Sequence, residues 1–467
     1  MRNAKFNLSR RDLLGAAVLL GACSANRTSA RDFGSAVAAF DAAAWEQMPE
    51  DVRAAFESIQ RGPLLVAMRE RDEAGIQRFV GAAKQVLGRW VGYPEVRPEY
   101  GAPLERRRPS YDVLKSALLE SIEAFLVAPP WADPTQRGPR PSIRLRVTAR
   151  AVETLLRTHL AEGFTGQFQP QSDLAAAALA GLDYALEMQA PNGVFGFPFI
   201  EDATAGPALE GADYVRRARA QGHDPVWRGW IIDDQNSGGL EFDNAAIGGA
   251  LLLGHHVSGR EAYLDAAVRA GEWALRREYV HNVNYNTLSA YLFARLYRVT
   301  HDLRWLRAAQ DIFRYVALPT QLPNGRWMDP HNARIQYHSI ILRHGLELLL
   351  ALRQAGDTGA EEMVPALRAG IDNLAAQIVT YGASNIHEML SLETLSLAKV
   401  ILGENPTWTE AEHVDLNYFG TPDIRRALAA HGLITPSAVA LHCGGEEQIY
   451  RPGIDPLERG NRFEFGL

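Results

Sequence analysis

Apolar side chains recur every three or four residues from about residue 144 to residue 402, which is the spacing of one face of an α-helix. The repeating blocks are rich in Ala and Leu and contain few runs of β-branched residues, so helices are favoured over strands. Residues 50–60, 73–90 and 110–127 have the same spacing. The later blocks predict helices over 144–160, 172–189, 244–257, 260–278, 287–300, 303–317, 337–354, 360–381 and 387–402.

Two kinds of helix alternate along this part of the chain. Residues 340–352 are apolar almost all round, whereas 260–278 and 303–317 carry charged residues on one face. The first kind is typical of a helix buried on all sides and the second of a helix with one face in water. A set of fully buried inner helices favours a closed ring over an open solenoid, because a solenoid leaves one face of each helix wet.

Two internal repeats support the pairing of helices. Residues 257–267 match 299–309, and residues 190–198 match 322–330. The second offset is about three times the first, as expected for a unit of about 40 residues built from two antiparallel helices. Such units bury one another when they stack.

This pattern, over roughly residues 50–432, resembles the (α/α) toroid architecture of many carbohydrate-active enzymes, both polysaccharide lyases and glycoside hydrolases. The resemblance implies an all-α fold, an (α/α) toroid of about six helical hairpins, and an enzyme whose partner is an oligo- or polysaccharide. Residues 433–467 contain turn-forming glycine and proline residues and are expected to form an irregular tail packed on the toroid.

The first 22 residues have the features of an export signal. An Arg10-Arg11 pair precedes an apolar run, residues 15–22, that is too short to span a bilayer and ends at Cys23. The segment resembles a twin-arginine signal joined to a lipobox, which implies cleavage before Cys23 and lipidation of its thiol. We therefore expect a periplasmic or cell-surface lipoprotein, with residues 23–49 as a linker, that contacts the membrane only through its lipid anchor.

Composition excludes several classes of function. A formal net charge of -7 argues against nucleic-acid binding and against general attraction to anionic lipid. Two cysteines are too few for a disulfide framework or a thiolate zinc site. Phosphate-binding glycine loops, a Gly-x-Ser-x-Gly elbow and dinucleotide fingerprints are absent from the sequence. No cofactor is expected, and the glycan partner is expected to be acidic.

Polar residues collect at the connections from an outer to the next inner helix, which all lie at the same end of a toroid. These connections are 190–243, 279–286, 318–336 and 382–386, and the opposite connections are short and plain. The polar residues at or just after them are Glu241, Asp243, Asn244, His281, Asn282, Asn284, Tyr285, Asn332, Arg334, Tyr337, His338, His331, His387 and Glu388.

Helix capping accounts for part of this cluster, since Asn and Asp side chains accept hydrogen bonds from free amides in a first helical turn. Capping does not require histidine, tyrosine and arginine at the same end, so we favour a binding or catalytic funnel. The longest connection adds Trp227 and Trp230, whose flat rings suit sugars. A hard metal ion on Asp233, Asp234 or Asp243 remains an alternative, although no metal is included in the predicted site.

β-Elimination from a uronic acid needs groups that neutralise the carboxylate, remove the C5 proton and protonate the leaving O4. Tyr285 and His338 are the best candidates for the general base and the general acid, and which of them is the base is left open. His281 or Tyr337 could replace either. The set is similar in residue type to toroid alginate and related polyuronate lyases. The predicted substrate-binding residues are Asn282, Asn284, Asn332, Arg334, Arg343, His331, His387, Glu388, Asn244, Trp227 and Trp230.

Two other functions stay open. A glycoside hydrolase would need a pair of carboxyl groups across the glycosidic bond, drawn from Asp233, Asp234, Glu241 and Asp243. The Asp233-Asp234 pair resembles the consecutive aspartates of some toroid mannanases. A noncatalytic glycan-binding lipoprotein is the third function. We expect the lyase, because carboxylates are common on every surface and a gathered set of tyrosine, histidine, asparagine and arginine is not.

Overall fold

The computed structural model describes residues 48–90, 122–123, 126–165, 174–204, 206–329, 332, 335–381, 390–403, 405–408 and 411. The expected export signal with Cys23, most of the 23–49 linker and the 433–467 tail lie outside these residues. So do four predicted site residues: His331, Arg334, His387 and Glu388.

Most of the described chain is helical. The α-helices are α1 Glu50–Ile59, α2 Leu65–Glu70, α3 Glu73–Leu87, α4 Leu145–Thr165, α5 Leu174–Met188, α6 Gly206–Ala220, α7 Gly239–Ser258, α8 Glu261–Leu275, α9 Val283–Thr300, α10 Leu303–Ile312, α11 Ile335–Ala355, α12 Gly359–Tyr381 and α13 Leu390–Leu402. Short π and 3₁₀ turns lie at Gln60–Leu64, Pro130–Ala132, Pro134–Arg137, Phe313–Ala317 and Leu318–Thr320. The strands are β1 Phe197–Pro198, β2 Val226–Trp227 and β3 Trp230–Ile231.

The helices predicted between residues 144 and 402 correspond to α4, α5 and α7 to α13. Inner helices lie side by side in chain order, so that α4 packs on α7, α7 on α9, α9 on α11 and α11 on α13. Each outer helix packs on the inner helix before it, as α5 does on α4 and α12 on α11. This alternation is the (α/α) toroid, and the predicted fold class is confirmed. No described helix has the length and apolar character needed to cross a bilayer.

Inner and outer helices differ because of their side chains. In α9 nearly every residue from Val283 to Arg298 is buried. In α10 the buried residues Trp305, Leu306 and Ala309 share one face, and Arg304 on the other face is exposed. The apolar stripe of an outer helix therefore faces the inner ring, as its amphipathic sequence predicts.

The repeat at 190–198 and 322–330 is a structural brace between outer helices. Gln189, just after α5, donates through Nε2 to the carbonyl of Gly193 at 2.9 Å and to a carbonyl of α8 at 2.8 Å. Gln321 makes the same contacts one copy later, to the carbonyl of Gly325 at 2.9 Å and to a carbonyl of α12 at 3.0 Å. Each brace fixes the turn that follows one outer helix to the side of a later outer helix.

Helices α1 to α3 share the hydrophobic core of the toroid and lie against its outer side. Arg69 of α2 donates to the carbonyl of Tyr279 at 2.9 Å, in the connection between α8 and α9. Arg71 is 2.8 Å from Asp311 of α10. These helices therefore cover the junction of two later hairpins.

The connection from α5 to α7 forms a small lobe, residues 190–238, that the sequence analysis treated as a loop. It contains α6 and a three-stranded antiparallel sheet in the order β1-β3-β2. Phe197 of β1 and Val226 of β2 both pair with Ile231 of β3. Gly211 of α6 lies where an added Cβ would be 3.1 Å from the Ile231 side chain, so α6 packs directly on the sheet.

Gly325 offers a test of the brace. Its φ is 85°, and an added Cβ would lie 2.0 Å from the carbonyl oxygen of Ala369 in α12. Gly356 is the matched control, with φ 68° and nothing within 4 Å of the same position. We expect Gly356→Ala to lower the free energy of unfolding by about 1 kcal/mol through backbone strain, and Gly325→Ala to lower it by about 1 to 3 kcal/mol more through overpacking. Urea unfolding measures both, and equal losses would contradict the close packing of this turn on α12.

Candidate functional site

The first turns of four inner helices meet at one end of the ring. Asp243 of α7 is fully buried and accepts from the backbone N–H of Arg146 at 2.9 Å and from its Nε at 3.0 Å. The Arg146 guanidinium lies 3.9 Å from the ring centre of Phe242. Tyr285 of α9 lies near this guanidinium, and Tyr337 of α11 lies near Tyr285. We call this group the mouth: Arg144, Arg146, Asp243, Tyr285 and Tyr337.

Electrostatics place both phenols in the mouth. Burial raises the pKa of Tyr285, the neighbouring Tyr337 and Glu241 raise it further, and the Arg146 charge opposes the rise. The lobe completes this environment, because Gly238, at φ 95°, packs so closely that an added Cβ would lie 2.6 Å from the Tyr285 ring. Tyr285 is thus held between the lobe and the ring axis, and it keeps part of its surface exposed.

Accessible charged side chains continue along α4 beyond the mouth. Arg146, Arg150 and Glu153 lie on one face of α4 at helical spacing, and each keeps accessible surface. Burial lowers the pKa of Arg150 to about 10, and the Arg146 charge contributes to the fall. Side chains that lie deep in the protein and keep accessible surface indicate a cavity wall, and from Arg146 to Glu153 this wall extends about 10 Å along α4.

Three buried charged side chains lie further along α9 and α11, and we call them the floor: Arg295, Arg298 and Glu347. Arg298 Nη1 lies 3.2 Å from Glu347 Oε2, and Arg295 Nε lies 3.8 Å from Glu347 Oε1. The Arg295 guanidinium stacks 4.6 Å from the Tyr291 ring centre. Gly249 of α7 allows this approach, since a Cβ there would lie 2.9 Å from Arg295 Nη1.

The accessible cavity is rich in arginine. Arg144, Arg146, Arg150 and Arg343 line it, against the carboxylates of Asp243 and Glu153. Arginine is therefore the commonest charged residue among the described side chains here, although the whole chain has a net charge of -7.

A second charged cluster ties the lobe to the mouth. Arg277, after α8, donates from Nε to Glu241 Oε1 at 3.0 Å and from Nη2 to Asp234 of the lobe. Ser237 Oγ also donates to Asp234, at 3.0 Å. Burial raises the pKa of Glu241 to about 7, and the Asp234 charge adds to the rise. No described residue donates a hydrogen bond to Glu241 Oε2.

Of the predicted hydrolase carboxylates, Asp234 and Glu241 are brought together on Arg277, whereas Asp233 and Asp243 have other partners. Asp233 lies on the lobe surface, where its Oδ2 is 2.9 Å from His223 Nε2, while Asp234 is buried against Arg277. The two neighbours thus point apart, which contradicts an Asp233-Asp234 pair across one bond. Asp243 is at the mouth, but its side chain is fully buried against Arg146. Among the described residues no cluster of three His, Cys, Asp or Glu side chains could hold a metal ion.

Three predicted substrate-binding asparagines instead link the starts of α9 and α11. Asn284 Nδ2 donates to Asn282 Oδ1 at 2.8 Å and to Asn332 Oδ1 at 3.0 Å. Asn332 donates to Asp329 at 2.7 Å, and Gln60 donates to the same carboxylate oxygen at 3.0 Å. Asn284 and Asn332 are buried, and their side chains bind each other rather than an accessible surface. Asn282 is the accessible member of the group.

His338 and Asn244 face away from the axis. His338 is fully buried, with Nε2 2.9 Å from the carbonyl of Gly370 in α12, and burial lowers its pKa to about 3. Asn244 Nδ2 donates in the same manner to the carbonyl of Ala270 in α8, at 3.1 Å. Both side chains join an inner helix to its outer partner. Neither side chain is among the residues that meet at the mouth.

His281 and Trp230 also lie away from the phenols. His281 is half-buried beside α1, and its lowered pKa is caused by burial and then by Arg61. Trp230 is 1% exposed within the lobe and cannot contact a sugar. Trp227 keeps an accessible ring, with the Arg228 guanidinium 4.9 Å from its centre. Of the predicted residues, the mouth and the cavity wall thus contain Tyr285, Tyr337, Arg343 and Asp243.

The sequence analysis missed the arginines of α4. Arg146 and Arg150 are four residues apart at the start of a predicted inner helix, and Glu153 follows at the next helical position. Charged residues at this spacing on a helix that should be buried were the available signal. It would have placed a charged face on the ring axis.

No protein-family model matches the chain, and no curated protein matches it by sequence. Solved structures that resemble it include a glycosyl hydrolase of family 88 from Bacteroides vulgatus (TM-score 0.43, 10% identity, 67% of this chain and 86% of that chain). A family 76 glycoside hydrolase from a bovine Bacteroides thetaiotaomicron strain has a TM-score of 0.46 and 11% identity, covering 71% and 79%. A polysaccharide lyase has a TM-score of 0.43 and 9% identity, covering 72% and 98%. Likeness at this level does not identify a reaction.

The pKa of Glu241 predicts a pH-dependent stability. Its folded value of about 7 lies above the value of about 4.3 in an unfolded chain, so the folded state holds a proton that the unfolded state releases between these pH values. Stability should therefore fall as pH rises through this window, by up to about 4 kcal/mol from this group.

We expect Glu241→Gln to remove that part of the decline, as measured by urea unfolding at closely spaced pH values. Glu261→Gln, at an exposed position in the first turn of α8, is the matched control and should follow the unsubstituted protein. A Glu241→Gln curve parallel to that of the unsubstituted protein would show that this carboxyl does not titrate in the window.

Proposed function

We propose that this protein is a polysaccharide lyase that cleaves a uronic-acid-containing glycan by β-elimination in the cavity of the toroid. The observation that supports this most is the meeting of Tyr285, Tyr337 and Arg146 at the mouth. An elimination needs a base, an acid and a cation beside the carboxylate, and these three side chains are of the right types.

The reaction assigns each group a role. Arg146, oriented by Asp243, pairs with the uronate carboxylate and so makes the C5 proton more acidic. Tyr285, as phenolate, takes the C5 proton, and the electron pair forms the C4–C5 double bond as the C4–O4 bond breaks. Tyr337 donates its proton to the leaving O4. Tyr285 is assigned as the base because the Arg146 charge favours its phenolate, against burial and Tyr337, which raise the pKa of Tyr285 above its usual value.

The excess of arginine supports an acidic substrate. Arg144 and Arg150 lie near Arg146, and burial together with the Arg146 charge lowers the pKa of both. Guanidinium groups so placed repel one another, and a bound carboxylate would relieve that repulsion. A neutral glycan would not reduce the repulsion between these guanidinium groups.

A glycoside hydrolase is the second candidate, and Glu241 favours it. A carboxyl with a pKa of about 7 can donate a proton to a leaving oxygen at neutral pH. Against this role, Glu241 is 4% exposed and is bound to Arg277. We therefore rank hydrolysis below elimination.

Elimination has a direct signature. Incubation with a panel of polyuronates should raise the ultraviolet absorbance, because the new double bond is conjugated to the carboxylate. We expect Tyr285→Phe and Tyr337→Phe each to lower the rate by about 10²- to 10⁴-fold. Tyr297→Phe is the control on the same helix, since Tyr297 is buried near the far end of α9 against His301.

Other outcomes decide against the proposal. Full elimination activity in both phenol variants would remove the tyrosines from the mechanism. Release of reducing ends without absorbance, lost in Glu241→Gln, would establish the hydrolase. Glycan binding that needs Arg146, without cleavage of any tested glycan, would leave a binding protein.

A further inference from the structure

Two arginines of the mouth lie near Tyr285, and their guanidinium groups stack on different aromatic rings. The Arg146 guanidinium is 3.9 Å from the ring centre of Phe242 in α7. The Arg144 guanidinium, just before α4, is 4.7 Å from the ring centre of Phe197 in β1 of the lobe. Both groups interact electrostatically with Tyr285. One arginine therefore belongs to the ring side of the mouth and the other to the lobe side.

The two arginines differ in their ionic partners. Both carboxylate oxygens of Asp243 accept from Arg146, Oδ1 from its backbone N–H at 2.9 Å and Oδ2 from its Nε at 3.0 Å. The Arg144 side chain makes no hydrogen bond or ion pair with a described residue. Two further carboxylates near the phenol of the mouth, Glu210 and Glu241, make no ion pair with it. Among the described residues of the mouth, Arg144 is therefore the cation that no carboxylate contacts.

The lobe holds this cation in place. Arg144 is half-buried, and burial together with the Arg146 charge lowers its pKa. Gly196, next to Phe197, lies so close to β3 that an added Cβ would be 2.6 Å from the carbonyl oxygen of Ile231. The Phe197 ring is thus a fixed support for the guanidinium. A positioned, partly desolvated guanidinium suits an external carboxylate, because no ion pair has to break before that carboxylate binds.

We propose that Arg144 binds the carboxylate of the sugar next to the one that is cleaved, so that the protein selects glycans with contiguous uronates. This inference rests on the proposed function, and it adds the substrate class. The uronate that loses its C5 proton pairs with Arg146 on the ring side of Tyr285, and its neighbour pairs with Arg144 on the lobe side. A glycan in which uronates alternate with neutral sugars would leave Arg144 without a partner.

Calorimetric binding tests this selection. The probes are tri-galacturonate and tri-mannuronate, each with three carboxylates or with the two terminal carboxyls reduced to alcohols, and the protein carries Tyr285→Phe so that cleavage is slow. For the three-carboxylate probe that binds, we expect Arg144→Gln to raise the dissociation constant at least tenfold. The one-carboxylate form should bind as before, because its carboxylate pairs with Arg146.

Two further variants serve as controls for binding. Arg144→Lys keeps the charge without the planar group and should recover part of the affinity. Arg228→Gln is the matched control, since Arg228 also stacks on a lobe ring, 4.9 Å from the ring centre of Trp227, and it should bind normally.

Urea unfolding separates a binding role from a structural one. Arg144→Gln removes no ion pair with a described residue and relieves the repulsion from Arg146, so the unfolding midpoint should not fall. Arg146→Gln should lower the midpoint, because Asp243 is left buried without its charged partner. A fall of equal size in both variants would make Arg144 a structural contact between lobe and ring, and would overturn the proposal.

The binding data can overturn it in other ways. Equal weakening of the three-carboxylate and one-carboxylate forms would assign Arg144 to the same carboxylate as Arg146. Unchanged affinity in Arg144→Gln, or no binding of either three-carboxylate probe, would remove the site.

The two proposals fail separately. Elimination that continues in Arg144→Gln with an unchanged KM for every polyuronate cleaved leaves the lyase and removes the selection. A preference for three carboxylates that depends on Arg144, without any rise in absorbance, leaves the binding site and removes the lyase.

Discussion

The contacts of Arg295 and Arg298 with Glu347 determine where the interior of the ring is solid and where it is open. Helices packed side by side around an axis leave a central space that side chains must fill. Here it is filled by charged groups with no exposed surface at Arg295 and Glu347. Burying such charges costs several kcal/mol per ion unless opposite charges lie beside them, so these three residues must keep their relative positions. On α4 the accessible residues Arg146 and Arg150 precede Glu153, which lies 3.8 Å from Arg295 of this cluster.

The mouth depends on the lobe as much as on the ring. Arg277 binds Asp234 of the lobe and Glu241 of α7, and Gly238 places the lobe backbone against the Tyr285 ring. The position of Tyr285 therefore follows from contacts on two sides, one from the helical scaffold and one from the lobe. A shift of the lobe would change the environment of that phenol without altering any helix of the ring.

The sequence predicted the helices and their alternation well, because amphipathic and fully apolar blocks differ in pattern along the whole chain. It also located the end of the ring where polar residues collect. The sequence pattern could not show which of these polar side chains point towards the ring axis. Tyr337 and His338 are neighbours in the first turn of α11, and successive residues of a helix point about 100° apart. One therefore reaches the axis and the other contacts α12, a difference that depends on the exact rotation of the helix. Helix α6 escaped prediction because its short amphipathic segment lies within a long connection.

The two glutamine braces, at Gln189 and Gln321, bear on how such a ring can change. Each brace involves only the few residues that directly follow an outer helix and a carbonyl of a later outer helix. After the first brace the chain makes a long excursion of strands and a helix before it re-enters the ring, and after the second it re-enters at once. The contacts that fix neighbouring outer helices thus involve residues at the start of each connection, before the rest of that connection. Insertions at this end can grow, shrink or be exchanged without loosening the scaffold, so the shape of the entrance is free to diverge while the architecture beneath it is retained.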